Sequence, residues 1–215
     1  MTKASHEAAA ASAPQQERGQ ATRRQLLDAA VDELMAVGYA RLTTSAVAAR
    51  AAVSRGAQQY HFPHKATLVA EAVRHLGRLQ IGEVRALGAA LDAQPAEVRG
   101  RTVLDATFEM YSGPLFAAVL ELSMAARADA ALQQVIGDAE RAISREVRGL
   151  GPEVFGGAAA ALPDFPRRWS LALSAIRGTA MLILLGHPRD SVARQWEFTR
   201  AEIMRLLAPQ ERRDE

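Results

Sequence analysis

The chain has 215 residues, 49% of them hydrophobic and 23% charged, with no cysteine and a formal net charge of +2. That length suits one large domain or a small domain joined to a larger one, and the apolar content predicts a packed core. The lack of cysteine excludes a disulfide scaffold and thiolate chemistry and suits a reducing, cytoplasmic setting. The net charge hides an asymmetry: nine Lys/Arg stand against four Asp/Glu from Arg18 to Arg78, and sixteen against eighteen from Leu79 to Glu215. A basic first third is the electrostatic footprint of a phosphate-binding face, although a solvated surface with scattered arginines has the same charge.

Residues 1–19 are rich in Ala, Ser, Gln and Pro and hold no aromatic residue, so a disordered tail is expected. They contain no apolar signal core. A first helix is predicted from about Ala21 to Val37, with a capping-box pattern at Thr22 and Gln25 and a buried stripe of Leu26, Ala30, Leu34 and Val37. Gly38 ends it. From Leu42 to Lys65 the pattern reads helix, tight turn, helix, and the start of another helix. Thr43 is a suitable N-cap for the Ala-rich stretch that follows, and Ser54 for a second short helix, Arg55 to His61. Ala52 and Val53 make the turn between them. Pro63 cannot continue the second helix and biases Phe62 away from helical angles. Two short helices at this spacing form a helix-turn-helix, whose second helix can enter the DNA major groove.

Within that second helix, Arg55 and Gln59 lie one turn apart and share a face, while Gln58 precedes Phe62 by one turn and leans toward the core. Gln59 is therefore the preferred base reader. Gln pairs bidentately with adenine, Arg with guanine, and Ala57 is placed to touch a thymine methyl. Gly56 allows close approach of the backbone.

A fourth helix opens near His64 or Lys65, buries Leu68, Ala72, Val73 and Leu76, and extends toward Leu91. Pro95 opens a fifth, to about Tyr111. Gly113-Pro114 breaks the chain before a sixth, to about Ala126, and Asp129 caps a seventh, to about Arg148. Gly149 to Pro166 reads as a loop. The eighth helix, about Pro166 to Leu185, is apolar nearly all round, and the ninth runs from Ser191 to Leu207. The run from Trp169 to Leu185 is interrupted by Arg177 and is too short for a membrane span, so no membrane association is expected. With no strand-like alternation and no internal repeat, the predicted fold class is all-α with nine helices.

Thr43, Ala48, Val53-Ser54-Arg55-Gly56, Tyr60-His61-Phe62, Pro63 and Lys65, preceded by Ala29-Ala30, Leu34 and Gly38-Tyr39, resemble at fixed spacing the DNA-binding domain of the TetR family of transcriptional regulators. The stretch Ser112 to Leu132 resembles part of the regulatory domain of some TetR-type proteins. The resemblance implies a helix-turn-helix domain over 20–66, a ligand-binding and dimerisation domain over 67–215, and a homodimer formed by the last two helices. It implies DNA contacts from Tyr60 and His61 and a phosphate contact from Lys65. The full set of expected DNA-contacting residues is Thr43, Thr44, Ser54, Arg55, Gly56, Ala57, Gln59, Tyr60, His61 and Lys65. For Tyr60 and His61 the competing reading is that they pack and cap. Two departures stand out. Ala52 occupies a position where the family commonly has Gly, and a positive φ there costs Ala about 1–2 kcal/mol. Gln58 and Gln59 stand where the family often has an apolar residue and a Tyr.

His61 and His64 are separated by Pro63, share no helical face and have no cysteine or carboxylate cluster nearby, so no metal site is expected. No nucleophile motif, phosphate-binding glycine loop or carboxylate pair is visible, so neither an enzyme nor a cofactor is expected. Arg177 within the apolar eighth helix must be paired. It is read either as an ion-pair partner of Glu109 or Glu121 or as the anchor of an acidic ligand. With Met110, Tyr111, Phe116, Met124, Trp169 and Leu173 it forms the candidate pocket for an apolar or amphipathic small molecule, although such residues at helical spacing also serve as plain core. The functional expectation is a homodimeric repressor that binds a pseudo-palindromic double-stranded operator and is released by a small ligand. The alternative is a helical ligand-binding or scaffold dimer without specific DNA binding.

Overall fold

The computed structural model describes the backbone of residues 3–162 and 164–208, and side chains from residue 16 onward except 158 and 163. Among the described residues there are nine helices, one further helical turn at Gly157–Ala160, and no strand, as the all-α reading requires. In chain order the helices are α1 (Lys3–Arg41), α2 (Thr44–Arg50), α3 (Arg55–His61), α4 (Lys65–Ala90), α5 (Ala96–Ser112), α6 (Pro114–Ala126), α7 (Ala130–Phe155), α8 (Phe165–Leu184) and α9 (Arg189–Leu207).

Two bounds differ from expectation. Helix α1 begins at Lys3 rather than near Ala21, within the stretch expected to be a disordered tail. Its first turns are Ala-rich, and Ala has the highest intrinsic helix propensity. Residues 1–2 of the expected tail lie outside the described residues. Helix α7 continues to Phe155 through Pro152, where Gly149 was expected to open a loop. Leu150, Val154 and Phe155 are buried, and that burial outweighs the roughly 3 kcal/mol that an interior proline costs a helix.

The chain divides into two compact units. One comprises Met1–Leu76 with Glu121–Ala139, the other Gly77–Leu120 with Glu140–Glu215. In the first unit α1 packs on α2 and α3 through Leu26, Ala30, Leu34, Val47, Ala48 and Phe62, all buried. Leu68 and Ala72 from the start of α4 join this core. Ion pairs of Arg50 with Glu33 at 2.8 Å and of Arg23 with Glu71 at 2.9 Å tie α1 to α2 and α4. Gly38 interrupts α1 at φ 72°, ψ 168°. The positive φ at Gly38 is a conformation that favours glycine; a Cβ there would lie 2.5 Å from a Glu121 carboxylate oxygen, the mobile end of a side chain that can give way.

In the second unit α8 packs against α5 and α9. Phe108 stacks on Trp196 at 4.3 Å, and Phe155 meets Trp169 edge-on at 5.4 Å. Each buried indole is hydrogen-bonded, as buried tryptophans usually are. Trp169 Nε1 donates to the Val147 carbonyl at 3.1 Å, and Trp196 Nε1 donates to Asp105 at 2.7 Å. Helix α8 buries Ala172, Leu173, Ile176 and Ala180 on one side and exposes Leu171 and Met181 on the other, with Leu185 exposed at its C-cap. Phe198 of α9 is also exposed. Among the described residues no helix is long and apolar enough to cross a membrane.

Candidate nucleic-acid interface

The geometry of α2 and α3 follows from local hydrogen bonding. Thr43 holds extended angles, and its hydroxyl accepts from the Ala46 N–H at 3.1 Å. Ser54 does the same for α3, accepting from the Ala57 N–H at 3.2 Å. Each satisfies one of the N–H groups that a helix start leaves without a partner. Between the helices, Val53 N donates to the Ala48 carbonyl at 3.0 Å and Ala52 N to the Ala49 carbonyl at 3.1 Å. This pair of bonds is a Schellman closure, which places its C′ residue in the left-handed region. That residue is Ala52, at φ 53°, the one non-glycine with positive φ among the described residues.

Helix α3 is fixed from its inner side. Gln58 is buried, and its amide nitrogen donates to the Phe62 carbonyl at 2.7 Å. Phe62 is itself buried, with the Arg23 guanidinium 5.2 Å from the ring centroid. The opposite side presents Arg55, Gly56, Gln59 and Tyr60 to solvent, with Tyr60 84% exposed. Arg55 has no hydrogen bond or ion pair among the described residues. Ala57 and His61 are half-buried, and the His61 ring meets Tyr60 edge-on at 5.2 Å. Gly56 is surrounded by open space: a Cβ there would meet nothing within 4 Å. Nothing within the folded chain therefore demands glycine at that position.

At the flanks, Thr43 is exposed and Thr44 half-buried at the start of α2. Lys65, at the start of α4, is held by its own unit. Its ammonium lies 4.2 Å from the Tyr39 ring centroid and donates to the Ala40 carbonyl at 3.4 Å. Burial lowers the Lys65 pKa, while burial and then the nearby Asp129 carboxylate raise that of Tyr39. This tether to Tyr39 was not foreseen from the sequence; its one signal is the Gly38 helix stop, which turns Tyr39 and Ala40 back toward α4.

The residues expected to line a pocket are dispersed. Trp169 and Leu173 are buried core, with Trp169 filling the space beside Gly151. Met124 is 62% exposed and belongs to the first unit. Tyr111 and Phe116 meet edge-on at 5.2 Å, and Met110 and Phe116 pack at the margin of the second unit's core. Arg177 is paired, but with neither Glu109 nor Glu121, and this corrects both expected partners. One guanidinium nitrogen donates to the Tyr111 hydroxyl at 2.9 Å and the Ser144 hydroxyl at 3.2 Å, and another lies 3.9 Å from Glu140. Ser144 in turn donates to Glu140 at 2.6 Å. Burial raises the Tyr111 pKa, with Arg177 acting in the opposite sense. Ser144 and Glu140 were missed because their i, i+4 spacing on α7 is a weak signal on its own. Among the described residues no three potential metal ligands gather.

The first unit is a helix-turn-helix DNA-binding unit, and the second is all-α. Residues 26–72 match the family model for bacterial regulatory proteins of the tetR family. An uncharacterised HTH-type transcriptional regulator of Mycobacterium tuberculosis is 33% identical over 147 residues, 66% of this chain and 74% of that protein. Among solved structures, the multidrug binding protein EbrR complexed with imidazole is 26% identical and covers 89% of this chain and 98% of its own, with a TM-score of 0.61. A TetR transcription regulator from Haloarcula marismortui shares the fold with a TM-score of 0.66, at 19% identity over 87% of this chain and 97% of its own. The chain belongs to the TetR family of transcriptional regulators, and its first unit carries the family's DNA-binding helix-turn-helix.

Proposed function

We propose that the protein is a homodimeric, cytoplasmic repressor without enzymatic activity, that residues 20–66 read a pseudo-palindromic double-stranded operator, and that residues 67–215 dimerise and bind a small effector. The observation that carries the DNA assignment is the outward face of α3. It offers a free guanidinium at Arg55, a free amide at Gln59, an exposed phenol at Tyr60, and a glycine that the fold itself does not need. Arg55 and Gln59 supply base-edge contacts, and Ala57 an apolar one. Thr43, Thr44, Ser54, Tyr60, His61 and Lys65 position the helix on phosphates and sugars. Lys65 reaches a phosphate by exchanging its long bond to Ala40 for a charge-assisted one.

The exposed stripe of Leu171 and Met181 on α8 and Leu185 at its C-cap, with Phe198 on α9, supports dimerisation through these two helices. A dimer sets two α3 helices about 34–36 Å apart to meet successive major grooves. EbrR is described as a multidrug binding protein and is known in complexes with proflavin and malachite green. That description, together with the aromatic cluster of Tyr111 and Phe116 beside Arg177, supports an apolar or amphipathic effector. The effector releases DNA only if it binds the released geometry more tightly than the DNA-bound one.

The test is fluorescence anisotropy with DNA from upstream of the gene and with random DNA. Arg55→Ala and Gln59→Ala should each cost about 1–3 kcal/mol on the operator and relax specificity, and Lys65→Ala should weaken all sequences and lower the salt slope by about one. Gly56→Ala should leave the fold intact and weaken DNA binding. Equal losses on operator and random DNA for Arg55→Ala and Gln59→Ala would remove them as base readers, and no binding to any DNA would favour a scaffold dimer.

A further inference from the structure

Beyond the DNA face and the Arg177 cluster, the second unit contains a pocket of about 550 Å³ between the start of α5, the helical turn Gly157–Ala160 and the end of α9. Its volume lies in the range of small-molecule sites. The floor is apolar, made by Phe155, Ala159, Met204 and Leu207, and the edge carries Arg99, Arg101 and Arg205 with Glu97; each arginine is ion-paired, Arg99 with Asp92, Arg101 with Glu97 at 3.6 Å and Arg205 with Glu202.

Two glycines shape it. A Cβ at Gly100 would lie 3.0 Å from the Met204 thioether, so this glycine lets α5 close on α9. A Cβ at Gly156 would lie 2.5 Å from Arg99 Nη2, so that glycine makes room for the guanidinium. Arg99 is set in place on both sides. Nη1 bonds Asp92 at 2.8 Å, Nη2 donates to the Phe155 carbonyl at 3.1 Å, and the side chain is only 12% exposed. Its Nε is buried without a hydrogen-bond partner. Asp92 is 85% exposed, so water screens much of its charge from the pair. Arg101 and Arg205 are 50% and 70% exposed at the mouth. Helix α5 begins at Ala96 after the N-cap residue Pro95, which makes no side-chain cap, and this leaves its first-turn N–H groups, the positive end of a 17-residue helix, on the same side.

From this combination we infer that the pocket binds an amphipathic anion: a carboxylate or comparable acidic head at the arginines, with an aliphatic or aromatic tail on the floor of Phe155, Met204 and Leu207. A cation of the same shape meets the nearly buried Arg99 guanidinium and a helix N-terminus, while the carboxylates paired with the arginines, Asp92, Glu97 and Glu202, are exposed and screened by water, so it binds more weakly. A small anion without a tail gains nothing from the floor. The site is independent of the effector reading above, because it shares no residue with the Arg177 cluster.

The experiment is isothermal titration of the full chain with decanoate below its micellar range, with decyltrimethylammonium as the charge-reversed probe and acetate as the tailless one. Decanoate should bind saturably at one molecule per chain, decyltrimethylammonium at least tenfold more weakly, and acetate not at all. The ε-methyl NMR signal of Met204, assigned through Met204→Leu, should move on adding decanoate. Ala201→Phe fills the pocket and should abolish binding. Should that variant fold poorly, the double variant Arg101→Glu/Arg205→Glu alters only exposed rim residues and should weaken decanoate at least tenfold. The inference is overturned by an absence of saturable decanoate binding, by equal affinity for both decyl amphiphiles, or by unchanged affinity in the charge-reversed variant.

Discussion

The turn between α2 and α3 lends itself to a stability test whose sign is diagnostic. Ala52 sits at φ 53°, held there by the Val53-to-Ala48 and Ala52-to-Ala49 hydrogen bonds that close α2. An L-residue in the left-handed region carries about 1–2 kcal/mol of local strain that glycine does not. Glycine has a freer unfolded chain, which offsets about 0.5–1 kcal/mol of that gain. Ala52 is exposed, so no buried contact is lost with its methyl group. Ala52→Gly should therefore stabilise the protein by roughly 0.5–1 kcal/mol, and at about 2–4 °C per kcal/mol for a chain of this size the midpoint should rise by about 1–4 °C. Urea denaturation should show a higher midpoint with an unchanged m-value. Its neighbour provides the control. Ala51 has helical angles, φ −74° and ψ −6°, so Ala51→Gly should lower stability by up to about 1 kcal/mol. If both glycine variants were destabilised, Ala52 would not hold a left-handed conformation in solution, and the helix-turn-helix would not close through a Schellman turn.

Other expectations bear on the second unit and on assembly. Gly151→Ala would push a methyl group to 2.6 Å from Trp169 Cδ1, and overpacking of this kind costs about 1–3 kcal/mol, readable by tryptophan fluorescence in urea. Asp105→Ala strands the Trp196 indole N–H and the Arg200 guanidinium, both 2.7 Å from that carboxylate, and should cost about 1–3 kcal/mol, while Asp105→Asn should cost less. Tyr111 and Tyr39 both have raised pKa values, chiefly through burial, so the folded state holds these phenolic protons more tightly than the unfolded state. Their contribution is complete below the unfolded tyrosine value near pH ~10 and is lost as pH rises through the folded values; Tyr111→Phe should make the alkaline fall in stability shallower. Sedimentation velocity at micromolar concentration should give a dimer, and Leu171→Glu with Phe198→Glu should give a monomer.

The helix-turn-helix was legible in the sequence because its determinants are local. Thr43 and Ser54 cap helices that begin one residue later, and Pro63 stops α3, all within a few residues of where each effect is felt. The inward lean of Gln58 followed from its spacing to Phe62. Helix ends were less legible where a local rule met a distant partner. Gly149, Gly151 and Pro152 read as a loop, yet α7 runs through them because Leu150, Val154 and Phe155 are buried in the second unit's core. Gly151 reads as a breaker in the sequence but acts in the fold as the clearance for Trp169, a residue eighteen positions on.

Arg177 shows the same limit at a polar site. A charge inside an apolar helix must find partners, and that much follows from solvation alone. Which partners it finds depends on which helix faces α8, and helical periodicity carries no information about that. Glu109 and Glu121 stand on α5 and α6, yet the carboxylate that approaches is Glu140 on α7. At 3.9 Å it is the longest contact in the cluster; the shorter ones, to Tyr111 and Ser144, are neutral hydroxyls. The Arg177 Nε is also buried without a hydrogen-bond partner. A guanidinium held mainly by hydroxyls, with the Tyr111 ring centroid 4.9 Å away and Glu140 at 3.9 Å, retains unused hydrogen-bonding capacity. A structural ion pair would be served better by a bidentate carboxylate at about 2.8 Å, the arrangement in which Arg is strongest. The incomplete pairing supports the proposal that Arg177 can anchor an acidic effector even though it already has partners: an acidic group arriving there would complete a shell that the fold leaves open.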